Sequence, residues 1–323
     1  METPSERVWR IEIPTPFAVG SVNCYLIEGD PVTLIDTGPK TPDAITTLTD
    51  ALSTRDLGVS DVDQVLVTHG HVDHIGLAAY IVRDRPEAAV WIHEEDALAL
   101  VDYDEFTRDR AQAFVSVVSG SGVPSEIESQ VSGETIMRYF RSFGESVPTT
   151  RTFKDGHVFE TGIGELRALW TPGHSFGSTC YVSKSKQVLF SGDHVLGDIS
   201  SNPSLSFGTS IGNGMLTYLS SLDKVSEWGS YIALPGHREL IRDLKSRIDE
   251  LRAEYDDKLR TTQGLLSSDA VSPYEVSRAV FGDYEIDSLV MALAESRDLL
   301  DILVKRGHAK LSQEEGTLLA TRA

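Results

Sequence analysis

Short apolar runs broken by Pro and Gly open the chain, and Val8 to Ile13, Cys24 to Glu28 and Val32 to Asp36 read as strands. Thr41-Pro42-Asp43 then starts a helix through about Leu52, with Pro42 suited to a first helical turn. Val65-Leu66-Val67 reads as a buried strand, Ile75 to Tyr80 as a helix, and Ala89 to Ile92 as another short strand. From Glu94 to about Phe143 the apolar spacing becomes helical, divided by Gly120 to Pro124 and closed by Gly144 to Pro148. This looks like a helical insertion of about residues 94–148. Strands resume at Glu165 to Trp170, Thr179 to Ser183, Gln187 to Phe190 and Tyr231 to Leu234. Beyond them lie a long charged helix, Leu240 to Leu259, a second helix near Ser288 to Lys305, and a hairpin candidate spanning Gly307 to Ala320.

Composition narrows the class. The 323 residues carry 29 Lys and Arg against 49 Asp and Glu, a net charge of -20, which argues against nonspecific attraction to polyanions. From Arg238 onward there are 13 basic and 17 acidic residues, so the tail offers no basic excess for phosphate contact. The two cysteines, Cys24 and Cys180, cannot build a disulfide framework, and both fall in apolar strands as core residues. No apolar run reaches about 20 residues, and Met1 to Arg7 has no leader-like pattern. The expectation is a cytoplasmic protein in a reducing compartment, without a membrane segment.

Candidate chemistry concentrates in Thr68-His69-Gly70-His71-Val72-Asp73-His74. So many imidazoles beside a carboxylate cost too much desolvation to pack without a partner, and a metal is the economical one. In an extended turn His69 and His71 can converge on one ion, while Asp73 and His74 at a helix start face a second beside it. The plain alternative is a polar surface loop. The same grammar of strand, small residue and ligand recurs in Pro172-Gly173-His174, Ser191-Gly192-Asp193 and Pro235-Gly236-His237. Asp36 ends its strand and is either a residue orienting the ligands from behind or a turn cap. Thr68 is placed with it behind the ligands. His194 either lines the pocket or satisfies a carbonyl, and His93, His157 and His308 are expected at the surface or in caps.

These motifs, with Leu34 to Gly38, resemble the metallo-β-lactamase superfamily of hydrolases, in that family's order over roughly residues 8 to 240. The resemblance implies an αββα sandwich, two mixed sheets face to face with helices outside. It implies that His69, His71 and His174 hold one metal, that Asp73, His74 and His237 hold a second, and that Asp193 bridges them. Asp36 matches the family's supporting aspartate. Two divalent ions are expected, zinc first, with iron or manganese also accommodated by nitrogen and oxygen donors. The implied nucleophile is a hydroxide bridging the ions, with Asp73 and Asp193 as the catalytic carboxylates.

Departures within the superfamily sort the reactions. A bridging aspartate and no cysteine ligand argue against antibiotic hydrolysis, and Leu196 stands where acyl-homoserine lactonases commonly carry tyrosine. The glutamate and flavodoxin domain of flavin-linked oxygen reductases are not seen. Glyoxalase II-like thioesterases share the full ligand set. The favoured function is hydrolysis of a small ester, thioester or lactone, with a nuclease or phosphodiesterase and a non-catalytic metal-binding interaction protein as alternatives. A catalytic domain is drawn over residues 1–237. Residues 238–323 become a helical appendage loosely similar to a winged helix, structural or dimerising rather than nucleic-acid binding. The insertion reads as a pocket wall, a homodimer contact or plain packing.

Overall fold

A computed structural model describes residues 2–203, 213–284 and 286–323. Its first sheet runs, in spatial order, β1 (Glu2–Ser5), β2 (Val8–Ile13), β3 (Val22–Ile27), β4 (Thr33–Ile35), β5 (Gln64–Leu66), β6 (Ala89–His93) and β7 (Thr150–Phe153). The second runs β12 (Ile232–Pro235), β11 (Val188–Gly192), β10 (Thr179–Ser183), β9 (Gly164–Trp170) and β8 (Val158–Thr161). Both sheets are mixed: β4, β5, β6 and β7 pair in parallel, as do β11 and β12, and the other ladders are antiparallel.

Strand residues alternate between layers with the period of two that a pleated strand imposes. In β3, Tyr25 and Ile27 face a core between the sheets, while Val22, Cys24 and Leu26 face an outer core. In β10, Tyr181 points inward and Cys180 and Val182 outward. Central strands buried on both faces explain why the apolar runs are continuous rather than alternating. The first outer core is covered by α1 (Pro42–Ser53), α2 (Val72–Ile75), α3 (Ala78–Asp84), α4 (Leu98–Val101) and the start of α5 (Tyr103–Ser119). The chain is thus the αββα sandwich that the resemblance implies.

The helix read at Ile75 to Tyr80 is two short helices, α2 and α3, with a break at Gly76-Leu77. A Cβ on Gly76 would meet the Phe143 carbonyl oxygen at 2.3 Å and the Lys40 nitrogen at 2.6 Å, so the backbone is pinned there against two other segments. Two further helices, α6 (Ser125–Glu128) and α7 (Gly133–Arg141), complete the insertion, whose α5 and α7 pack together. Strands β7 and β8 and the helix α8 (Gly214–Ser226) were not read from the sequence.

Residues 238–323 form α9 (Leu244–Leu265), α10 (Pro273–Phe281), α11 (Ile286–Lys305) and a hairpin of β13 (Ala309–Glu314) and β14 (Thr317–Arg322). The charged helix starts at Leu244 rather than Leu240, because Ile241 bridges back to Ala233 and Asp243 caps the helix by accepting from the Ser246 amide at 2.9 Å. One outer core joins Val182, Leu189 and Ala233 of the second sheet to Leu251 and Tyr255 of α9 and Leu299 of α11. A separate cluster packs Val117 and Val118 of α5 on Leu289 and Leu293 of α11. The C-terminal helices therefore supply the outer layer of the second sheet and a brace for the insertion. Among the described residues no helix is long and apolar enough to cross a membrane.

Candidate metal centre

The candidate ligands leave strand ends of both sheets and meet at one rim. Asp36 follows β4 with a left-handed φ of 59°, a conformation that aspartate tolerates better than most residues. Its carboxylate accepts from the Thr68 amide at 2.8 Å, the Thr68 hydroxyl at 2.8 Å and His74 Nδ1 at 2.7 Å. These contacts place Asp36 against Thr68 and the candidate ligand His74. They tie the end of β4 to the turn after β5.

Glycine clearance makes the rest of the rim. A Cβ on Gly236 would lie 2.3 Å from Asp193 Oδ1 and 2.7 Å from His74 Cε1, so a side chain there would fill the space between the candidate ligands. Gly192, at φ 49°, sits where a Cβ would meet the Thr68 Cβ at 2.8 Å. The Gly236 amide donates to the Gly192 carbonyl at 2.8 Å, joining the Asp193 and His237 turns.

The hydrogen bonds set which imidazole nitrogens are left as lone pairs. A carbonyl only accepts, so His237 Nδ1 donates to the Ser21 carbonyl at 2.7 Å and Nε2 faces the site. His74 Nδ1 likewise donates to Asp36. The Thr68 hydroxyl, having given its proton to Asp36, accepts from His69 Nδ1 at 3.0 Å. His174 Nδ1 lies 3.1 Å from the Ser201 hydroxyl. The inward atoms then cluster. His71 Nδ1 is 3.0 Å from His69 Nε2 and 2.8 Å from His174 Nε2. Asp193 Oδ1 is 3.5 Å from His74 Nε2, and its Oδ2 lies 3.6 Å from His174 Nε2 and 3.5 Å from His237 Nε2. Asp73 Oδ2 is 3.3 Å from His237 Nε2.

Three overlapping groups each hold donor atoms within 4.8 Å of one another: His69, His71 and His174; His69, His74 and Asp193; Asp73, His74 and His237. Tetrahedral ligands about 2.0 Å from zinc stand about 3.3 Å apart, so these separations suit a divalent ion. His74 Nε2, His237 Nε2 and Asp193 Oδ1 are buried without a hydrogen-bond partner. Buried polar atoms left unpaired are costly, and cations held by the second and third donor groups would satisfy them.

Electrostatics divides the cluster. Burial, followed by the neighbouring positive imidazoles, pushes His69 and His71 well below the usual histidine range, and burial lowers His174. Burial also opposes charge on His74 and His237, but for His74 the carboxylates Asp193, Asp36 and Asp73 outweigh it, and for His237 Asp193 and Asp73 do, so both pKa values rise. Burial would raise Asp193, yet His237 and His74 hold it well below the ordinary carboxyl range.

Other histidines fall elsewhere. His194 does not join the cluster: its buried ring packs on Tyr218 with centroids 4.9 Å apart, and neither nitrogen has a hydrogen-bond partner. Burial lowers its pKa to about 3, so the ring is neutral. His93 is buried, not at the surface; it caps a turn by accepting from the Glu95 amide at 3.3 Å and stacks on Trp170 at 5.2 Å. His157 and His308 are exposed.

Asp96 escaped the sequence reading. It accepts from the Gly70 amide at 2.8 Å, the Ser175 hydroxyl at 2.6 Å and the Gly177 amide at 2.8 Å. It clamps the His69–His71 turn to the His174 turn. Nothing local marks it within Glu94-Glu95-Asp96 except its place just after a strand.

A buried rim of imidazoles and carboxylates on an αββα sandwich defines a metal-hydrolase class. The chain belongs to the metallo-beta-lactamase superfamily, whose family model matches residues 18–237. It is similar to "Probable metallo-hydrolase YqjP" of Bacillus subtilis, 27% identical over 302 residues that cover 93% of this chain and 92% of that one. It is also similar to "Atrochrysone carboxyl ACP thioesterase nsrC" of Aspergillus novofumigatus, 26% identical over 83% of this chain and 64% of that protein's length. Among solved structures, the metallo-beta-lactamase family protein TTHA1429 of Thermus thermophilus superposes with a TM-score of 0.82 at 26% identity, covering 98% of this chain and 99% of that one. The chain is a metal-dependent hydrolase.

Proposed function

We propose that this hydrolase cleaves a small thioester, with His69, His71 and His174 holding one divalent ion, Asp73, His74 and His237 a second, and Asp193 between them. The observation that carries the site assignment is the convergence of seven side chains in three overlapping donor groups at one buried rim. The thioester assignment draws on the relative named as an acyl-carrier thioesterase, and on a further relative named "Thioesterase pkgB", 25% identical over 73% of this chain. When bound, the ions supply Lewis acidity for the carbonyl and bring the pKa of water from about 15.7 to about 7.

The chain's own groups do the rest. Asp73, held ionised because His74 and His237 outweigh its burial, is placed to take a proton from the attacking water at Oδ2. Asp193 fixes the separation of the two donor groups. Asp36 and Thr68 hold the imidazoles in the tautomers that leave Nε2 free on His69 and His74. A side-chain nucleophile has no part: Cys180 is buried in the outer core, and burial pushes its thiol up to about 12. The test is turnover of the metal-loaded protein on matched thioester, oxygen ester, lactone, bis(p-nitrophenyl) phosphate and RNA. Thioesters are expected to be cleaved fastest, in a chelator-sensitive way; faster cleavage of the phosphodiester or RNA, or chelator-resistant turnover, contradicts the reading.

A further inference from the structure

The helical insertion brings one cation to the rim that the hydrolytic scheme does not use. Arg110 lies on α5 with Phe106 and Phe114 one turn before and after it, and its guanidinium rests over their rings at 5.6 and 5.5 Å. It is close enough to Asp96, Asp73, His71 and His174 for its charge to act on all four. Yet among the described residues it forms no hydrogen bond or ion pair. By contrast, Arg10, Arg55, Arg85 and Arg247 each hold a carboxylate within 3.1 Å. Half-buried between the two rings, Arg110 is partly shielded from water without holding a carboxylate among the described residues.

Its surroundings argue against a structural role as an ion-pair anchor. Two aromatic faces hold the planar group by cation–π contact, which orients it but leaves its N–H donors unspent. Next to it, Phe17, Tyr139, Phe140 and Phe143 form an aromatic wall, with the Phe17 centroid 5.3 Å from Phe143 and Tyr139 46% exposed. An apolar wall ending in an oriented guanidinium matches a ligand with an apolar body and an anionic end.

We propose that Arg110 is a specificity-determining residue that binds an anionic group of the substrate, a carboxylate or a phosphate, while the reacting carbonyl sits at the Asp73–Asp193 rim. The proposal rests on the hydrolase reading above and deepens it by naming the substrate class as anionic. A carboxylate would come from the acyl part and a phosphate from a phosphopantetheine-type thiol.

Two matched pairs of probes distinguish these sources with the metal-loaded full chain. Adipoyl and hexanoyl thioesters of N-acetylcysteamine differ by an acyl-side carboxylate. Hexanoyl phosphopantetheine and hexanoyl pantetheine differ by a thiol-side phosphate. The wild-type protein is expected to favour the anionic member of one pair by about tenfold or more in kcat/KM, chiefly through KM. In Arg110→Gln that ratio falls toward one, and Arg110→Lys retains part of it because charge survives without the planar fork. A ratio near one for both pairs in the wild type, or one that Arg110→Gln leaves unchanged, overturns the proposal. If no thioester is cleaved, the thioester reading fails by itself. Arg110 is then tested by calorimetric binding of adipate against hexanoate, and of phosphopantetheine against pantetheine, in wild type and Arg110→Gln. The same preference for one anionic member, lost in the variant, supports the proposal, and equal binding within both pairs overturns it.

Discussion

The two halves of the candidate centre use similar residues but differ in what stands behind them. His69 and His174 are backed by hydroxyls, those of Thr68 and Ser201, at 3.0 and 3.1 Å. His74 and His237 are backed by a carboxylate and a carbonyl, Asp36 and Ser21, both at 2.7 Å. The first half is three imidazoles driven toward neutrality by burial. The second adds Asp73 and draws positive charge onto its imidazoles. A carboxylate behind an imidazole raises its basicity as a ligand, so the second half depends more on its supporting shell and the first more on where its turns are held. Asp96, which ties the His69–His71 turn to the His174 turn, serves that positional need.

The largest effect is expected at the residue both halves share. Asp193→Ala should lower hydrolysis by more than about a hundredfold, the upper end of what loss of a mere supporting partner costs, and reduce the metal bound per chain. Near-normal turnover in that variant would remove Asp193 from the centre. Next in size, Asp36→Asn should weaken metal affinity by about ten- to a hundredfold, mostly in the Asp73, His74 and His237 half. Thr68→Val should fall below it, since the Thr68 hydroxyl touches His69 directly and His74 only through Asp36; competition titration with a chromogenic chelator ranks the two. The reverse order would break the comparison between the halves.

The smallest effect sharpens it from a distance. The Tyr255 hydroxyl, on α9, donates to the Ser201 carbonyl, and Ser201 stands behind His174. Tyr255→Phe removes one buried hydrogen bond, a cost of about 1 kcal/mol, and should loosen the first half alone. Thermal melts and the same chelator titration read both consequences; an effect confined to the second half would contradict this route.

Most of the candidate ligand positions that meet at the rim were legible because each follows the same local signal, a strand end, a glycine or other small residue, then a histidine or aspartate, as in Ser191-Gly192-Asp193. Such signals survive in one dimension because strand, turn and ligand are adjacent in the chain. Asp96, Ser201 and the Ser21 carbonyl were not legible, since each reaches its partner from a distant segment and none sits in a distinctive motif. The tail shows the same limit. Leu244, Ile248, Leu251, Tyr255 and Leu259 form a helical apolar stripe that announces burial, but only the fold reveals that the second sheet is what covers it. Those helices read as an appendage because the family motifs end near residue 240. The shared core instead predicts that cutting at Ser246 exposes the outer face of β10 and β11.

Metal stoichiometry tests the central claim most directly. Elemental analysis of protein purified without chelator should find close to two divalent ions per chain in the wild type. His71→Ala and His237→Ala should each retain close to one, since each removes a donor from a different half. A wild-type protein that saturates at one ion, or either variant still holding two, would contradict a centre built from two halves around Asp193.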